Sequence, residues 1–539
     1  MGNKQSNEKK IQESQISVNQ SQLSARESQL NTSNSNQSNY AKKEQIAQEL
    51  YFPSSDDCPS KINITLGGIN FWSNYDSGNL FKVEQVETNT FNLSISEDCQ
   101  GRIPPVQSNK GTRQWFNFKV VTASDFQANF VIVNIATRFK KIWSADSDIY
   151  FKINKIWNRY PAVYQGFQVK FSFEFQANQI VQFAYMPPWS YKKNQKYLDF
   201  YSSQLHPDIY FRRETIAHSL EGRNIELITI TKNGPSEQQP YYCTEYLFPE
   251  KQFNEPLKKF KKQYILISCR IHAGEVPSSF ILKGILESLK NQNESAEYLL
   301  QNYVFLIIPM LNPDGVYRGH YRLDSLGYDQ NRVYNRIVKF PKFNGPLAVL
   351  EICKNYNVAF YIDLHAHSVL TNSFIYTNWH PNPSIHSAIL EFPKQMKQKV
   401  HHFRIKESMS TSINYEKSQY EFEGIYTEKE ENIQKAPDLK IHITKENLVP
   451  QNMTSDCPFS TNPYLTGVAK SDVYLTSSNM FSYTLEVNYR YYTKNKQVFK
   501  YEISDFINLG RDVVESLYSV HQNQDFIQIK SQLDGSIFN

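Results

Sequence analysis

The sequence predicts an α/β protein in which a mixed-sheet domain follows a β-sandwich. Three observations carry this. Between 60 and 195, apolar residues recur with period two, as in Phe167-Gln-Val-Lys-Phe-Ser-Phe-Glu-Phe175, the pattern of half-buried strands. From 205 to 521, short continuous apolar runs replace that alternation, as expected of strands buried on both faces. Between those runs lie stretches with helical spacing, and strands alternating with helices build an α/β layer.

Residues 1–48 are rich in Ser, Gln and Asn and hold no aromatic before Tyr40. Such a segment cannot offset its ordering entropy and is expected to be disordered. It opens Met1-Gly2-Asn3-Lys4-Gln5-Ser6, which fits the N-myristoylation pattern, so membrane contact through a lipid on Gly2 is an expectation. In the sandwich, Phe126 to Ala136 reads as a further strand. In the second domain, Tyr264–Ser268, Val304–Ile308 and Val358–Ile362 are the expected core strands. Ser278–Lys290 places Ile281, Leu282, Ile285, Leu286 and Leu289 on one helical face, with Pro277 in the first turn. Another amphipathic helix is expected over 504–520, capped by Ser504. The charged stretch 410–450 reads as a polar insertion, and 522–539 as a loose C-terminal tail.

Composition narrows the function. A net charge of +5 over 539 residues, with no dominant basic run, argues against a nucleic-acid partner. The six cysteines are widely spaced and form no CxxC pair, which predicts reduced thiols and disfavours a zinc-thiolate site. Tyr303–Leu311, the longest strongly apolar run, is too short to span a bilayer. The first thirty residues hold no apolar signal region, so a cytoplasmic location is expected.

One constellation carries chemistry. The strand 264–268 is followed by Arg270-Ile-His272-Ala-Gly-Glu275-Val-Pro277. A His and a Glu three residues apart can converge on one ion where the chain turns from a strand end into a helix, with Gly274 supplying the turn. An open catalytic zinc site needs a third ligand. His365, which closes the strand that begins at Val358, is the candidate, and active sites of open α/β sheets lie at such carboxyl ends. His367 points the same way on a strand and competes for the role. The spacing alone is weak, since His218-Ser-Leu-Glu221 repeats it without a preceding apolar strand.

With these residues in view, the chain resembles the cytosolic carboxypeptidases, a branch of the M14 zinc carboxypeptidases. The resemblance runs over about 65–500 and rests on ordered blocks. They are Arg270-Ile-His272-Ala-Gly-Glu275, Ile308-Pro-Met-Leu-Asn-Pro-Asp-Gly-Val316, Asp329-Gln-Asn331-Arg332, Asp363-Leu-His365-Ala-His367 and Ser482-Tyr-Thr-Leu-Glu486. Tyr75–Leu80, Trp115–Phe118 and Phe183–Tyr185 extend it into the sandwich. The resemblance implies a mixed-sheet zinc carboxypeptidase domain and one Zn2+ per chain on His272, Glu275 and His365. It implies Glu486 as general base and Arg322 as the cation that polarises the scissile carbonyl. Asn331 and Arg332 would hold the substrate's terminal carboxylate, a task suited to the planar guanidinium fork.

Gly274–Phe280 and Gly319–Ser325 look most like a subgroup that removes glutamates, including branch-point glutamates, from tubulin side chains. The implied partner is tubulin or another polyglutamylated protein, with microtubule or cilium association. Lys470 aligns with the family's basic residue for the substrate side chain, while Asp472, Leu475 and Gln330 depart from the family pattern. The alternatives are a carboxypeptidase of different C-terminal specificity, or an inactive module that binds acidic tails.

Overall fold

Period-two alternation sets the first layer. In the computed structural model, the chain is described over residues 61–99, 112–136, 148–232, 237–240, 247–248, 256–291, 293–334, 344–368, 372–378, 380, 382–400, 403–405, 469 and 480–535. The expectations placed on 1–48, 410–450, Lys470 and Asp472 lie outside these residues.

Eleven strands form the two sheets of the sandwich: β1 (Asn63–Leu66), β2 (Ile69–Trp72), β3 (Lys82–Glu87), β4 (Thr90–Ser94), β5 (Asn117–Thr122), β6 (Phe126–Ile132), β7 (Asp148–Ile153), β8 (Ile156–Pro161), β9 (Val163–Gln165), β10 (Gln168–Phe175) and β11 (Val181–Ala184). One sheet has the order β1-β2-β5-β11-β7-β8 and the other β3-β4-β6-β10-β9. Along β10 the alternation turns Val169, Phe171, Phe173 and Phe175 inward, where Phe171 meets Phe130 and Phe183. Phe167, expected to open this strand, stays outside it and exposed.

Helix Tyr191–Ser202 leads into an eight-stranded mixed sheet made of β12 (Ile209–His218), β13 (Asn224–Lys232), β16 (Gln263–Cys269), β17 (Tyr303–Ile308), β18 (Val358–His367), β19 (Ser373–Thr377), β20 (Phe403–Ile405) and β21 (Phe481–Asn488). Hairpins β14–β15 (Glu237–Pro240, Pro256–Lys259) and β22–β23 (Tyr491–Lys494, Gln497–Lys500) stand apart from it. The order is β12-β13-β17-β16-β18-β21-β19-β20, and its middle, β17-β16-β18-β21, is parallel throughout. The three apolar runs expected as strands are β16, β17 and the first half of β18.

Helix Val276–Lys290 packs beside helix Ile503–Val520 at unusually close range. A Cβ on Gly284 would lie 1.9 Å from the Ile507 carbonyl oxygen, and one on Gly510 would lie 2.0 Å from that of Ile281. Two features differ from expectation. The second helix is capped by Glu502 in a capping box with Asp505, not by Ser504, because the reciprocal carboxylate bonds satisfy two free amides where a serine one residue later would satisfy one. The expected loose tail folds into helix Gln524–Gly535, because Phe526 buries itself against Phe481 and Phe360. The described residues all belong to one compact unit.

Candidate metal centre

Parallel strands end together, and the side chains that leave their carboxyl ends meet. After Cys269 closes β16, Arg270 adopts the left-handed region with φ +59, a costly conformation for a non-glycine residue. Its buried guanidinium holds the turn, donating to the carbonyls of Ala273 and Trp189 and to Ser279 Oγ. Burial lowers its pKa to about 10. Gly274 is needed for a reason other than the expected turn. Its φ is not positive; rather, a Cβ there would lie 2.6 Å from the Tyr321 carbonyl oxygen, which accepts the Gly274 N–H.

This loop presents His272 and Glu275 to His365 on β18. Among the described residues, these three form the one group of His, Cys, Asp or Glu side chains able to converge on an ion, with ligand atoms within 4.8 Å of one another, and all three are buried. His272 Nδ1 lies 2.7 Å from Glu275 Oε1, and His365 Nδ1 lies 3.0 Å from Glu275 Oε2. The far nitrogens face other carboxylates: His272 Nε2 stands 3.1 Å from Asp329 Oδ1, and His365 Nε2 stands 2.8 Å from Asp363 Oδ2. Asp363 also accepts from Ser268 Oγ at 2.6 Å. An imidazole that donates Nε2–H to a carboxylate leaves the Nδ1 lone pair for a metal, so both rings are set in the ligating tautomer. Two nitrogens and a carboxylate make a His₂Glu donor set, a known arrangement for catalytic zinc with an open position.

Electrostatics favour a cation here. Burial pushes the Glu275 carboxyl up, but His272 and His365 overcome it and hold the group well below the usual carboxylate range. Burial opposes a charged His365, and Asp363 and Glu275 overcome that, raising its pKa well above the ordinary histidine value. Three carboxylates, those of Glu275, Asp329 and Asp363, thus face two imidazoles, and a divalent ion would relieve the imbalance.

Glu486 sits on β21 directly across from His365 in parallel register. Its Oε2 is buried and makes no hydrogen bond among the described residues. Burial pushes its carboxyl up to about 7, against the pull of His365 and Arg322 and with the push of Glu275 and Asp363. Arg322 spans the site, with Nε 2.7 Å from Asp329 Oδ2 and Nη1 4.0 Å from Glu275 Oε1. Asn331 places Nδ2 3.4 Å from His365 Nε2, and its Oδ1 accepts the Ala469 N–H at 2.9 Å. Arg332 is exposed, its Nη1 donating to the Asn331 carbonyl at 2.6 Å.

Six of the eight expected site residues therefore gather at one sheet edge, and Arg332 stands at its rim. Lys470 lies outside the described residues. His367 is turned away: its Nε2 lies 3.0 Å from the Asn372 carbonyl, and its ring packs on Phe374. His218 and Glu221 take no part, since Glu221 pairs with Arg223 and Arg318. Asp329 and Asp363 carry no signal of their own in the sequence. Both lie within the quoted blocks, and Asp363, two residues before His365 on a strand, necessarily shares its face.

Comparison with known proteins agrees with this geometry. A family profile described as "Zinc carboxypeptidase" matches residues 201–516, and one described as "Cytosolic carboxypeptidase N-terminal domain" matches 71–186. Mouse cytosolic carboxypeptidase 6 is 34% identical over 381 residues, 65% of this chain and 62% of that protein. Mouse cytosolic carboxypeptidase-like protein 5, which the blocks at 274–280 and 319–325 resemble, is 30% identical over 340 residues, 54% of this chain and 38% of that one. The chain thus aligns with under two thirds of each relative's length. The solved metallo-carboxypeptidases of Burkholderia cenocepacia and Pseudomonas aeruginosa share the fold, with TM-scores of 0.59 and 0.58 over 84% of this chain and 99% of theirs, at 15% and 17% identity.

Proposed function

The chain belongs to the zinc carboxypeptidase family, and from that premise we propose that it is a metallocarboxypeptidase removing C-terminal or branch-point glutamate from tubulin or similar acidic tails. The observation that carries the catalytic part is the buried Glu486 Oε2 opposite His365, which has no hydrogen-bond partner among the described residues. A basic oxygen held without a hydrogen bond beside a metal-ligand set is poised to accept a proton.

His272, Glu275 and His365 would hold the zinc, which when bound supplies Lewis acidity and makes water a nucleophile at neutral pH. Glu486 takes a proton from the attacking water and returns it to the departing amine as the C–N bond breaks. Arg322 donates hydrogen bonds to the oxygen that gains charge. Asn331 and Arg332 orient the free α-carboxylate, and Lys470 meets the side-chain carboxylate of the departing glutamate. Asp472, if it faces that pocket, opposes acidic substrates by like-charge repulsion. The names of the matched relatives support cytosolic location, and no described helix is long and apolar enough to cross a membrane.

The test is hydrolysis by the purified, zinc-loaded chain of linear and γ-branched glutamate peptides beside peptides ending in neutral residues. Glutamate release with modest discrimination is expected. Lys470→Ala should raise KM for glutamate peptides more than for neutral ones, and Asp472→Asn should sharpen glutamate preference. Rapid release of aromatic or aliphatic residues with glutamate peptides untouched would leave the carboxypeptidase and remove the deglutamylase.

A further inference from the structure

Away from the metal centre, a cleft of about 970 Å³ opens where the sandwich meets helix Tyr191–Ser202. Six lysines line it: Lys119 on β5, Lys152 on β7, Lys155 in the turn to β8, and Lys192, Lys193 and Lys196 on the helix. Among the described residues, none of the six forms an ion pair with a carboxylate. The one acidic side chain in the lining, Asp76, is already engaged, accepting the backbone N–H groups of Tyr191 and Lys192.

Three of the lysines are steadied by aromatic rings in place of carboxylates, which leaves their charge uncompensated. Lys119 Nζ lies 4.5 Å from the Tyr75 ring, Lys152 Nζ 5.1 Å from Trp157, and Lys193 Nζ 4.7 Å from Trp189. Burial lowers the pKa of Lys119, and burial together with Lys119 lowers that of Lys152. Six lysines thus face one carboxylate that is already hydrogen-bonded, so the cleft carries a net positive charge that an anion would offset.

We propose that this cleft binds an acidic polypeptide segment, whose carboxylates the six lysines receive. The choice of occupant rests on the reading of the chain as a hydrolase of glutamate-rich tails, and the cleft's own features agree with it. Its lining contains no arginine, the residue that fixes planar, bidentate geometry; lysines are point charges on flexible stems and accept carboxylates in varied register. Its volume stands at the upper end of the roughly 300–1,000 Å³ of ligand pockets, large for a single small anion. Trp157, Tyr191 and Tyr317 supply apolar wall between the charges, which suits the stems of glutamate side chains.

The cleft also adjoins the catalytic loops. Trp189, flanked by the lining residues Pro188 and Ser190, accepts a hydrogen bond from Arg270, two residues before His272. Tyr317 in the wall precedes Arg322 by five residues. A tail held here lies on the domain that supports the metal centre, so the cleft acts as a second hold on a long substrate.

The experiment uses the full zinc-loaded chain and a fluorescein-labelled poly-glutamate peptide with an amidated C-terminus, read by fluorescence anisotropy. The amide denies the metal centre its terminal carboxylate, so the probe reports the cleft alone. Lys155, Lys192 and Lys196 are exposed, so reversing them together to Glu should leave the fold intact. That triple variant is expected to bind the probe at least about tenfold more weakly. The triple variant to Arg should bind as wild type does. The Glu variant should hydrolyse a short blocked peptide ending in glutamate with unchanged kcat/KM, while KM rises for a long glutamate-rich protein tail. Equal binding by the Glu variant, or binding of inorganic polyphosphate in place of poly-glutamate, overturns the proposal. So does a wild type that hydrolyses the short peptide yet ignores the amidated probe. Cleft-dependent binding without hydrolysis of glutamate peptides would instead remove the deglutamylase reading and leave the acidic cleft partner standing.

Discussion

Glu486 concentrates the chemistry of the candidate site in one carboxyl. A group pushed up to about 7 by burial binds its proton more tightly folded than unfolded, where glutamate titrates near 4.5. Between those values the folded state holds the extra proton, so stability falls as pH rises through the window. Removing the charge with Glu486→Gln should therefore raise the Tm of metal-free protein at neutral pH relative to wild type, with the difference vanishing below the ordinary glutamate range. Activity moves the other way, because the base must be ionised. The same substitution should cost about 10²–10⁴-fold in kcat at neutral pH, with zinc content unchanged. In wild type the acidic limb of kcat/KM should lie between the ordinary glutamate value and about 7, since a bound dication favours the ionised base. Turnover within a few-fold of wild type would remove Glu486 from this role.

The ligands invite a sharper comparison. His365→Ala should abolish zinc retention, measured by metal analysis after dialysis, and His367→Ala should preserve it, because His367 is committed to the Asn372 carbonyl. Asp363→Asn leaves every ligand in place but can present an amide N–H to His365 Nε2, which favours the wrong tautomer. It should weaken zinc about 10–100-fold. Loss of zinc in the His367 variant with retention in the His365 variant would mean the structure pairs the wrong histidine with Glu275.

Among the elements, two helices show what a sequence conveys and what it withholds. The apolar face of Val276–Lys290 was legible from spacing alone, as was most of Ile503–Val520. That they would cross at glycines was not, because Gly284 and Gly510 are distant in sequence and each reads locally as a weak helix former. The close approach places backbone carbonyls where a Cβ would stand, and backbone cannot swing aside as a side chain can. Gly510→Ala should thus destabilise by about 3 kcal/mol, the upper part of the overpacking range, despite its better helix propensity. Urea denaturation measures this; a neutral or stabilising result would mean the two helices can separate at no cost. The final helix was misread for a related reason. Its apolar face is short, with Phe526, Ile529 and Leu533 at helical spacing, and of these only Phe526 is fully buried, against Phe360 and Phe481. The metal ligands were legible because their blocks flank apolar strands. The carboxylates behind them were overlooked because a lone Asp carries no signal until the fold sets it against an imidazole.

Across the whole molecule, the sandwich does more than precede the catalytic layer. Asp98, from the loop after β4, is fully buried and reaches the segment that carries Arg322. Its Oδ1 accepts the Tyr321 N–H at 2.7 Å, and its Oδ2 accepts those of Arg322 and Leu323 at 2.8 and 2.9 Å. Asn79 donates to the Gly319 carbonyl, Ser77 N–H and Lys61 Nζ to that of Tyr317, and Cys99 N–H to His320 Nε2, so the sandwich grips the same segment through several residues. Arg322 in turn pairs with Asp329, which holds His272. A continuous line of hydrogen bonds thus leads from the sandwich to the metal ligands. Asp98→Asn tests whether that line matters, since asparagine keeps the shape but offers one acceptor oxygen where three amides need two. At least one N–H must lose its partner, and Arg322 should shift. A displacement near 1 Å in a catalytic group can cost about 10²-fold in rate. The variant should therefore lose most of its single-turnover rate on glutamate peptides while keeping zinc. Asp125→Asn, on the outer sandwich where among the described residues the carboxylate accepts only the Ala177 N–H, should lose nothing. If Asp98→Asn turns over at the wild-type rate, the Arg322 segment is positioned by the catalytic layer alone, and the sandwich serves its own cleft rather than the metal centre.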